Sequence, residues 1–465
     1  MDETKRLLKN TGIIAIGNLS AKVVSFFLLP LYTAILTTEE YGTIDYIITL
    51  SAFSVPFISF LMDEAIFRFL IDCKTKEDKE KIISISVFVV LSGLLIFLVI
   101  VYPILYYVEY QYSILLIIFI ASEILNLIIS ALLRGIGRTD AFAVYNFLSS
   151  VLQIALNVIF IAIFYWGIIG MLSAMIIGRI LVSIIYIYEL KLWKYIKYKV
   201  LDKNVAREMI KYSIPLIPNK VSWLIINLSS RIVIMGVLSS NFVGLYAISS
   251  KFATAMDMIY GFFYQSWKES SARVMQDDNK NEFYNLVYKY LKRFMYAIVL
   301  VLTACMPIIF KFLIADSFKE AILYVPILLI STYFMNISGF YGGIFTAYKD
   351  TKIMGTTTIL AAIINLVLMF ITIKFGGLYA VSLSALVANF VVYQYRKIKV
   401  RKYVILKENK YGILSDWLMT TMILSLFYTM NFKLQILGII ISFIYAVITN
   451  YIVFKIILSK FLKRE

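Results

Sequence analysis

The sequence contains no histidine and only two cysteines, and both shortages narrow the range of possible functions. Without histidine the chain can form neither a histidine-dependent catalytic triad nor an imidazole zinc site. Cys73 lies in a charged loop and Cys305 in an apolar stretch, so they indicate neither a disulfide framework nor a metal cluster. Charged residues are also scarce, at 16% of the chain. We therefore expect no metal centre and no cofactor.

Apolar residues make up 61% of the 465 positions, and the mean hydropathy is +0.85. One soluble core cannot bury that much apolar surface, so the composition predicts an all-α polytopic membrane protein. A net charge of +17 would suggest nucleic-acid binding in a soluble protein. In a membrane protein, lysines and arginines retained on the cytoplasmic face explain it better, and we expect no nucleic-acid partner. The first apolar run is too long for a cleavable signal peptide and lacks a cleavage pattern.

Apolar runs bounded by charged or Gly/Asn turns predict about 14 transmembrane helices. An even number of spans places both termini on one side of the membrane. Most of the 45 Lys and Arg residues then fall at the ends on that side, which the positive-inside rule assigns to the cytoplasm. The predicted spans are 10–36, 43–70, 82–108, 111–133, 142–165, 168–190, 213–238, 242–267, 293–315, 321–347, 353–374, 377–396, 413–430 and 434–458.

The chain also repeats itself. A shift of 202 positions aligns Lys9 with Lys211 and Gly42 with Gly244, and it superimposes the first two spans on the seventh and eighth. Six helices per copy preserve orientation, so we expect two parallel six-helix lobes enclosing a central cavity. The predicted organisation is an N-terminal lobe at 1–190, a cytoplasmic connector at 191–212, a C-terminal lobe at 213–400 and two additional helices at 413–458.

Basic and polar residues form a stripe on the seventh span. Asn227 and Arg231 follow Lys220 by seven and eleven residues, which returns them to within about 20° of one helix face. A charge near the bilayer centre costs roughly 2.5–3.5 kcal/mol, so such a stripe normally faces protein or a watery cavity. The repeat places Asn18, Lys22 and Ser25 on an equivalent face of the first span. The alternative is a set of separate hydrogen bonds between helices.

Other charges within the spans allow two interpretations each. Glu123 and Arg179 lie at matching depth, and we expect a buried structural ion pair rather than a coupling carboxylate. Lys251 lines a cavity or reaches the interface, whereas Asp257 is a candidate partner for a cation of its lobe. Asp63, Glu64 and Arg68 form a charged cluster near the cytoplasmic end of the second span. Glu64 and Arg68 have the i,i+4 spacing of a pair on a helix surface. The cluster predicts an interfacial brace or a gate.

A softer polar stripe follows the fifth span. Asn146, Ser150, Gln153 and Asn157 share one helix face by their offsets of four, seven and eleven. Sugars bind donors and acceptors of this kind, so Asn146, Gln153 and Asn157 are sugar-contacting candidates together with Asn18, Ser25 and Asn227. Hydrogen bonding between helices is an equally good explanation.

Several short motifs resemble one family of membrane proteins. They are N-T-G at 10–12, E-E-Y-G at 39–42, F-R-F at 67–69, S-R-I-V-I-M-G at 230–236, V-G-L-Y-A-I-S-S-K at 243–251, D-T-K at 350–352 and F-G-G-L-Y at 375–379. This pattern is similar to the O-antigen and repeat-unit flippases of the multidrug/oligosaccharidyl-lipid/polysaccharide (MOP) exporter superfamily, whose fold is MATE-like. Many relatives carry an acidic residue before the arginine, where this chain has Ser230.

The resemblance implies a transporter, not an enzyme. It implies that undecaprenyl-pyrophosphate-linked oligosaccharides cross the bacterial inner membrane by alternating access, for surface polysaccharide synthesis. Membrane lipid and polysaccharide polymerase or assembly proteins are the implied partners, with H⁺ or Na⁺ as a possible coupling ion. Lysine and arginine form charge-assisted hydrogen bonds to phosphate oxygens, which strengthen away from bulk water. The candidates for binding the pyrophosphate are Lys22, Lys220, Arg231 and Lys251. The alternatives are a lipid II flippase, a multidrug or metabolite cation antiporter, and a membrane glycosyltransferase or polymerase, for which the external connections are short.

Overall fold

A computed structural model describes residues 28–197, 201–350 and 352–462. It leaves undescribed the side chains at 139, 219, 223, 226, 227, 410 and 452–462. Within these ranges the chain is helical or irregular, with no β-strand. Together with the solved folds reported below, this confirms the predicted all-α polytopic membrane fold. The chain divides into two compact units, one up to Leu228 and one from Ser229. The lobe boundaries predicted from the sequence stay a prediction.

The first unit contains eight helices and the start of a ninth. They are α1 (Leu29–Ile35), α2 (Thr38–Ile58), α3 (Met62–Asp72), α4 (Lys76–Tyr107), α5 (Ser113–Gly135), α6 (Thr139–Asn157), α7 (Gly167–Glu189), α8 (Lys203–Ser213) and α9 (Ile217–Val237). Polar caps mark the start of two of them: Thr37 and Glu40 form a capping box at α2, and Thr75 caps α4.

The predicted second span, 43–70, is two helices rather than one. Phe60 and Leu61 adopt positive φ angles of 50° and 51°, a conformation that an α-helix cannot continue through. The chain therefore breaks between α2 and α3. The break places Asp63 and Glu64 in the first turn of α3, where the helix dipole favours negative charge.

The second unit contains the rest of α9 and six further helices. These are α10 (Ser240–Val274), α11 (Lys280–Leu313), α12 (Val325–Ala347), α13 (Lys352–Val400), α14 (Lys410–Tyr428) and α15 (Phe432–Leu462). Helix α13 covers the predicted spans 353–374 and 377–396 without an intervening loop. Gly377, at φ 51° and ψ −134°, bends the chain between them.

Nine helices of the described ranges are long and apolar enough to cross a membrane. Six of these candidate spans correspond to α2, α4, α5, α6, α7 and α11. The other three contain α12, α13 and the first part of α15. Most of the predicted first span lies outside the described residues. Helices α9, α10 and α14 form at the other predicted positions.

The predicted C-terminal pair packs within the second unit. Ile423 of α14 joins Leu300 and Ala304 of α11 in a buried apolar cluster, and α15 lies along α11. The Tyr428 hydroxyl donates to the Leu323 carbonyl at 2.8 Å. The apolar contacts attach α14 and α15 to α11, and the hydrogen bond attaches α14 to the segment that precedes α12.

Gly93 gives a direct test of packing in the first unit. A methyl group on Gly93 of α4 would lie 2.0 Å from the carbonyl oxygen of Ile58, at the end of α2. We predict that Gly93→Ala destabilises the protein by about 1–3 kcal/mol, because the backbone must shift. Gly355→Ala is the matched control, since a methyl group there meets nothing within 4 Å. Melting of the purified protein measures both, and equal stability of the two variants would contradict this packing.

Candidate functional site

Part of the predicted basic stripe falls outside the described structure. Asn18, Lys22 and Ser25 lie outside the described residues, and the Asn227 side chain is not described. The described members are Lys220, which is exposed, and Arg231, which is half-buried; both belong to α9.

Arg231 reaches across to α10. Only residues 238 and 239 separate the two helices, so side chains at similar distances from this connection can meet. One guanidinium nitrogen, Nη2, donates to the Ser250 hydroxyl at 3.2 Å, and the guanidinium carbon lies 5.8 Å from the centre of the Tyr246 ring. A hydroxyl and an aromatic face therefore help to orient this cation.

One side of α10 carries polar groups between residues 246 and 257. Ser250, Thr254 and Asp257 follow Tyr246 by four, eight and eleven residues, which places all four on one side of the helix. The Ser250 hydroxyl donates to the Ala247 carbonyl at 2.9 Å while it accepts from Arg231. Asp257 is half-buried. Arg231 therefore contacts the start of a helix face that further along carries Thr254 and the carboxylate of Asp257.

Lys251 lies on a different side of α10 from Ser250 and is half-buried. The structure thus places Arg231, Lys251 and Asp257 in the same unit, on two consecutive helices. Their roles toward a substrate or coupling ion stay predictions.

A second charged group, in the first unit, surrounds Asp63. One oxygen of this carboxylate, Oδ1, is buried without a hydrogen-bond partner, and the charges of Lys220 and Arg134 act on it. The Arg134 guanidinium lies 4.9 Å from the Phe67 ring centre and 5.4 Å from that of Phe142. Sequence reasoning missed Arg134, because it sits at the end of a span, where arginine is ordinary.

The expected pair of Glu64 with Arg68 does not form. Arg68 instead binds Asp72, with 2.6 Å between Nη1 and Oδ2. Glu64 and Asp72 each lie four residues from Arg68, so spacing does not decide which of them Arg68 binds. The helix dipole explains the preference for Asp72. Glu64 is stabilised by the helix N-terminus, whereas Asp72 lies at the unfavourable C-terminal end and gains more from a cation. Such an exposed pair contributes about 0.3–0.5 kcal/mol, and the gate role stays a prediction.

Glu123 and Arg179 are neighbours without direct contact. Glu123 accepts a hydrogen bond from Ser51 at 2.8 Å, and the Arg179 guanidinium lies 4.6 Å from the Phe119 ring centre. Their charges are close enough to interact, yet among the described residues no salt bridge within 4.0 Å joins them. Arg179 Nη1 is buried without a hydrogen bond. The expected ion pair is therefore a longer-range attraction.

Two of the three sugar-contacting candidates of the fifth span form side-chain hydrogen bonds within the protein. Asn146 donates to the Phe142 carbonyl at 3.1 Å, four residues earlier in the same helix. Asn157 is completely buried and donates to the Tyr32 hydroxyl at 3.1 Å. Gln153 is half-buried, and its backbone packs against Gly178 of α7. In this conformation Asn157 stabilises packing between helices, and sugar contact by the other two stays a prediction.

Arg396 is a buried cation that the sequence analysis overlooked. It is 6% exposed, and all its acceptors are neutral oxygens. Nε donates to Thr357 Oγ1 at 2.8 Å and Nη1 to the Ser338 carbonyl at 3.1 Å, while Nη2 donates to the Met354 carbonyl and Thr358 Oγ1, both at 3.3 Å. Arg396 therefore joins both halves of α13 to α12. It lies at the end of the predicted span 377–396, where an arginine is ordinary.

Solved transporter structures share this fold. A lipid II flippase, MurJ, in an inward closed conformation matches with a TM-score of 0.68 and 16% identity over 96% of this chain and 99% of its own. An inward-facing multidrug-resistance MATE transporter of the MOP superfamily matches with a TM-score of 0.65 and 15% identity, over 84% of this chain and 98% of its own. A Vibrio cholerae MATE transporter, VcmN, was solved as a mutant. It matches with a TM-score of 0.53 and 16% identity, over 86% of this chain and 96% of its own. At these identities the likeness shows the fold alone.

Sequence comparison identifies the family. No curated protein sequence matches the chain significantly. The model of the polysaccharide biosynthesis protein family, in contrast, matches residues 7–267, more than half of the chain. The chain therefore belongs to the polysaccharide biosynthesis protein family, a family of MOP-superfamily flippases.

Proposed function

We propose that this flippase translocates polyprenyl-pyrophosphate-linked oligosaccharides across the bacterial inner membrane by alternating access, for surface polysaccharide synthesis. The observation that carries the proposal is the match of residues 7–267 to the polysaccharide biosynthesis family. Undecaprenyl is the proposed lipid, and polymerase or assembly proteins are the proposed partners. The transport chemistry requires no covalent step.

Arg231 supports a phosphate-bearing substrate. It is half-buried, and a hydroxyl and an aromatic ring hold its guanidinium in place. A guanidinium forms short, strong, charge-assisted hydrogen bonds to phosphate oxygens, and it keeps its charge when partly desolvated. We propose that Arg231, with Lys22, Lys220 and Lys251, binds the pyrophosphate, and that H⁺ or Na⁺ is the coupling ion.

Two other substrates fit the same fold. One of the similar structures is a lipid II flippase and another a multidrug transporter. An organic cation would be opposed by Arg231 and Lys251, which favours the anionic substrates over a drug. Between oligosaccharide and lipid II, membership of the polysaccharide family favours the oligosaccharide.

Complementation in three strains tests the substrate. We expect expression of the full chain to restore surface-glycan display in a strain that lacks its own repeat-unit flippase. We expect no rescue of a strain depleted of its lipid II flippase and no gain of resistance in a drug-sensitive strain. Rescue of the lipid II strain alone, with equal membrane abundance in all three, would replace the proposal with peptidoglycan precursor transport.

Both termini are proposed to be cytoplasmic, and cysteine labelling tests this orientation. In a Cys73→Ser, Cys305→Ser background, Lys74→Cys marks a predicted cytoplasmic loop and Lys433→Cys a predicted external one; both positions are exposed. A membrane-impermeant thiol reagent should label Lys74→Cys only after the cells are opened, but label Lys433→Cys in intact cells. The reverse pattern would invert the topology.

A further inference from the structure

A large cavity lies in the second unit, away from all the candidates above. Its volume is about 1170 Å³, and α11, α14, α15 and the segment that joins α13 to α14 contribute its walls. Four cations line it, Lys289, Lys292, Arg293 and Lys407, along with three carboxylates, Glu282, Glu408 and Asp416. None of these residues lies within the matched range 7–267.

Two of the carboxylates are engaged by the protein itself. Glu408 binds Lys397 at 2.6 Å, accepts from the Tyr288 hydroxyl at 3.1 Å and lies 3.9 Å from Lys292. Asp416 accepts from the Tyr445 hydroxyl at 2.5 Å. Among the residues that the structure describes, no salt bridge within 4.0 Å occupies Lys289, Arg293 or Lys407. These three cations remain available to an anion.

One face of α11 changes from polar to apolar along the cavity. Asn285, Lys289 and Arg293 succeed one another every four residues, and Tyr296 follows on the same side. A crevice of about 240 Å³ begins at Tyr296, at the end of this row of side chains. Lys292, Ile413 and Asp416 border both spaces. The cationic cavity therefore continues into the crevice.

The crevice is lined mainly by aromatic and aliphatic side chains, including Phe334, Phe390 and Trp417. It extends along helices that are apolar enough to cross the bilayer. Such a slot suits a hydrocarbon chain, whereas the cavity suits a phosphate group at the level of the lipid headgroups. A soluble anion would use only the cavity, and a zwitterionic lipid would gain less from three cations.

We propose that this pair of spaces binds an anionic glycerophospholipid of the bilayer, with its phosphate at Lys289, Arg293 and Lys407 and an acyl chain in the crevice. The charge bias of the sequence places the cavity at the cytoplasmic face. The lipid would touch α11, α13 and α14 at once, and it stabilises the attachment of the C-terminal helix pair. This site is additional to the proposed transport of oligosaccharide.

Lipid titration of the purified full-length protein tests the proposal. Phosphatidylglycerol and phosphatidylcholine, each in mixed detergent micelles, serve as probes, and native mass spectrometry measures binding. We expect a clear preference for phosphatidylglycerol. The triple variant Lys289→Gln, Arg293→Gln, Lys407→Gln should bind it at least about tenfold more weakly, since each cation near the headgroup contributes to binding.

Two controls make the test decisive. The triple variant Lys203→Gln, Arg207→Gln, Lys211→Gln removes the same charges from exposed positions of α8 and should bind like the wild type. Ile413→Trp, which narrows the passage between cavity and crevice, should weaken binding although every cation is kept. Equal loss in both triple variants would show general charge attraction and overturn the proposal. So would equal affinity for glycerol phosphate, which lacks the chains, or for phosphatidylcholine.

Discussion

Arg231→Glu is expected to abolish surface-glycan display in a strain without its own flippase, while the protein still accumulates in the membrane. A carboxylate at this position repels the pyrophosphate that the guanidinium would bind. Arg231→Ala should reduce transport about tenfold or more, in line with the loss of charge-assisted hydrogen bonds. Arg231→Lys should keep partial transport, because the charge stays but the two-pronged hydrogen-bonding geometry is lost.

Charge reversal at an exposed site provides the control. Lys268 lies further along α10 and is exposed, so Lys268→Glu should leave glycan display unchanged. Surface glycan is quantified by lectin binding, and membrane abundance is measured in parallel. Full display by Arg231→Glu at normal abundance is incompatible with a cationic substrate site. Loss of abundance would instead assign Arg231 to packing with Ser250 and Tyr246.

Arg396→Met is expected to cause the largest loss of folded protein, by about 3 kcal/mol or more. The substitution removes the buried hydrogen bonds of the guanidinium to Thr357 Oγ1 and the Ser338 carbonyl. It also removes the half-buried hydrogen bonds to the Met354 carbonyl and Thr358 Oγ1. Unmade buried hydrogen bonds cost about 1–3 kcal/mol each. Arg396→Lys should also destabilise, since one ammonium cannot span acceptors on α12 and both halves of α13. Melting of the detergent-purified protein measures these changes.

Arg401→Met is the matched control, because Arg401 is exposed beyond the end of α13. It should melt like the wild type. Unchanged melting of Arg396→Met, combined with lost transport, would move Arg396 from the packing of the second unit to the transport site.

The fold was predictable because its main determinant is local. Long apolar runs between charged turns define membrane helices, and the all-α polytopic fold follows from them. What the pattern could not show was how the backbone bends within or between such runs. Phe60 and Leu61 break the second span with side chains that are ordinary in a helix, and Gly377 bends α13 where the pattern suggested two helices.

The charged residues were easy to find in the sequence but difficult to pair. Arg68 had an acid four residues away on each side, and only the helix boundaries, which place Glu64 in the first turn of α3, explain why it binds Asp72. Arg396 satisfies its donors entirely with neutral oxygens, three of them main-chain or hydroxyl groups of α13. No sequence pattern reveals such acceptors, because carbonyls are present at every position.

Reconstitution with a defined substrate tests the central claim most directly. The purified protein is placed in liposomes that contain a fluorescent polyprenyl-pyrophosphate oligosaccharide in both leaflets, and an impermeant glycosidase is added outside. With the wild-type protein, cleavage should proceed from about half of the substrate to nearly all of it, as the inner pool reaches the outer leaflet. With Arg231→Glu, cleavage should stop at the outer half. Equal plateaus for the wild type, the variant and protein-free liposomes would contradict transport of this substrate.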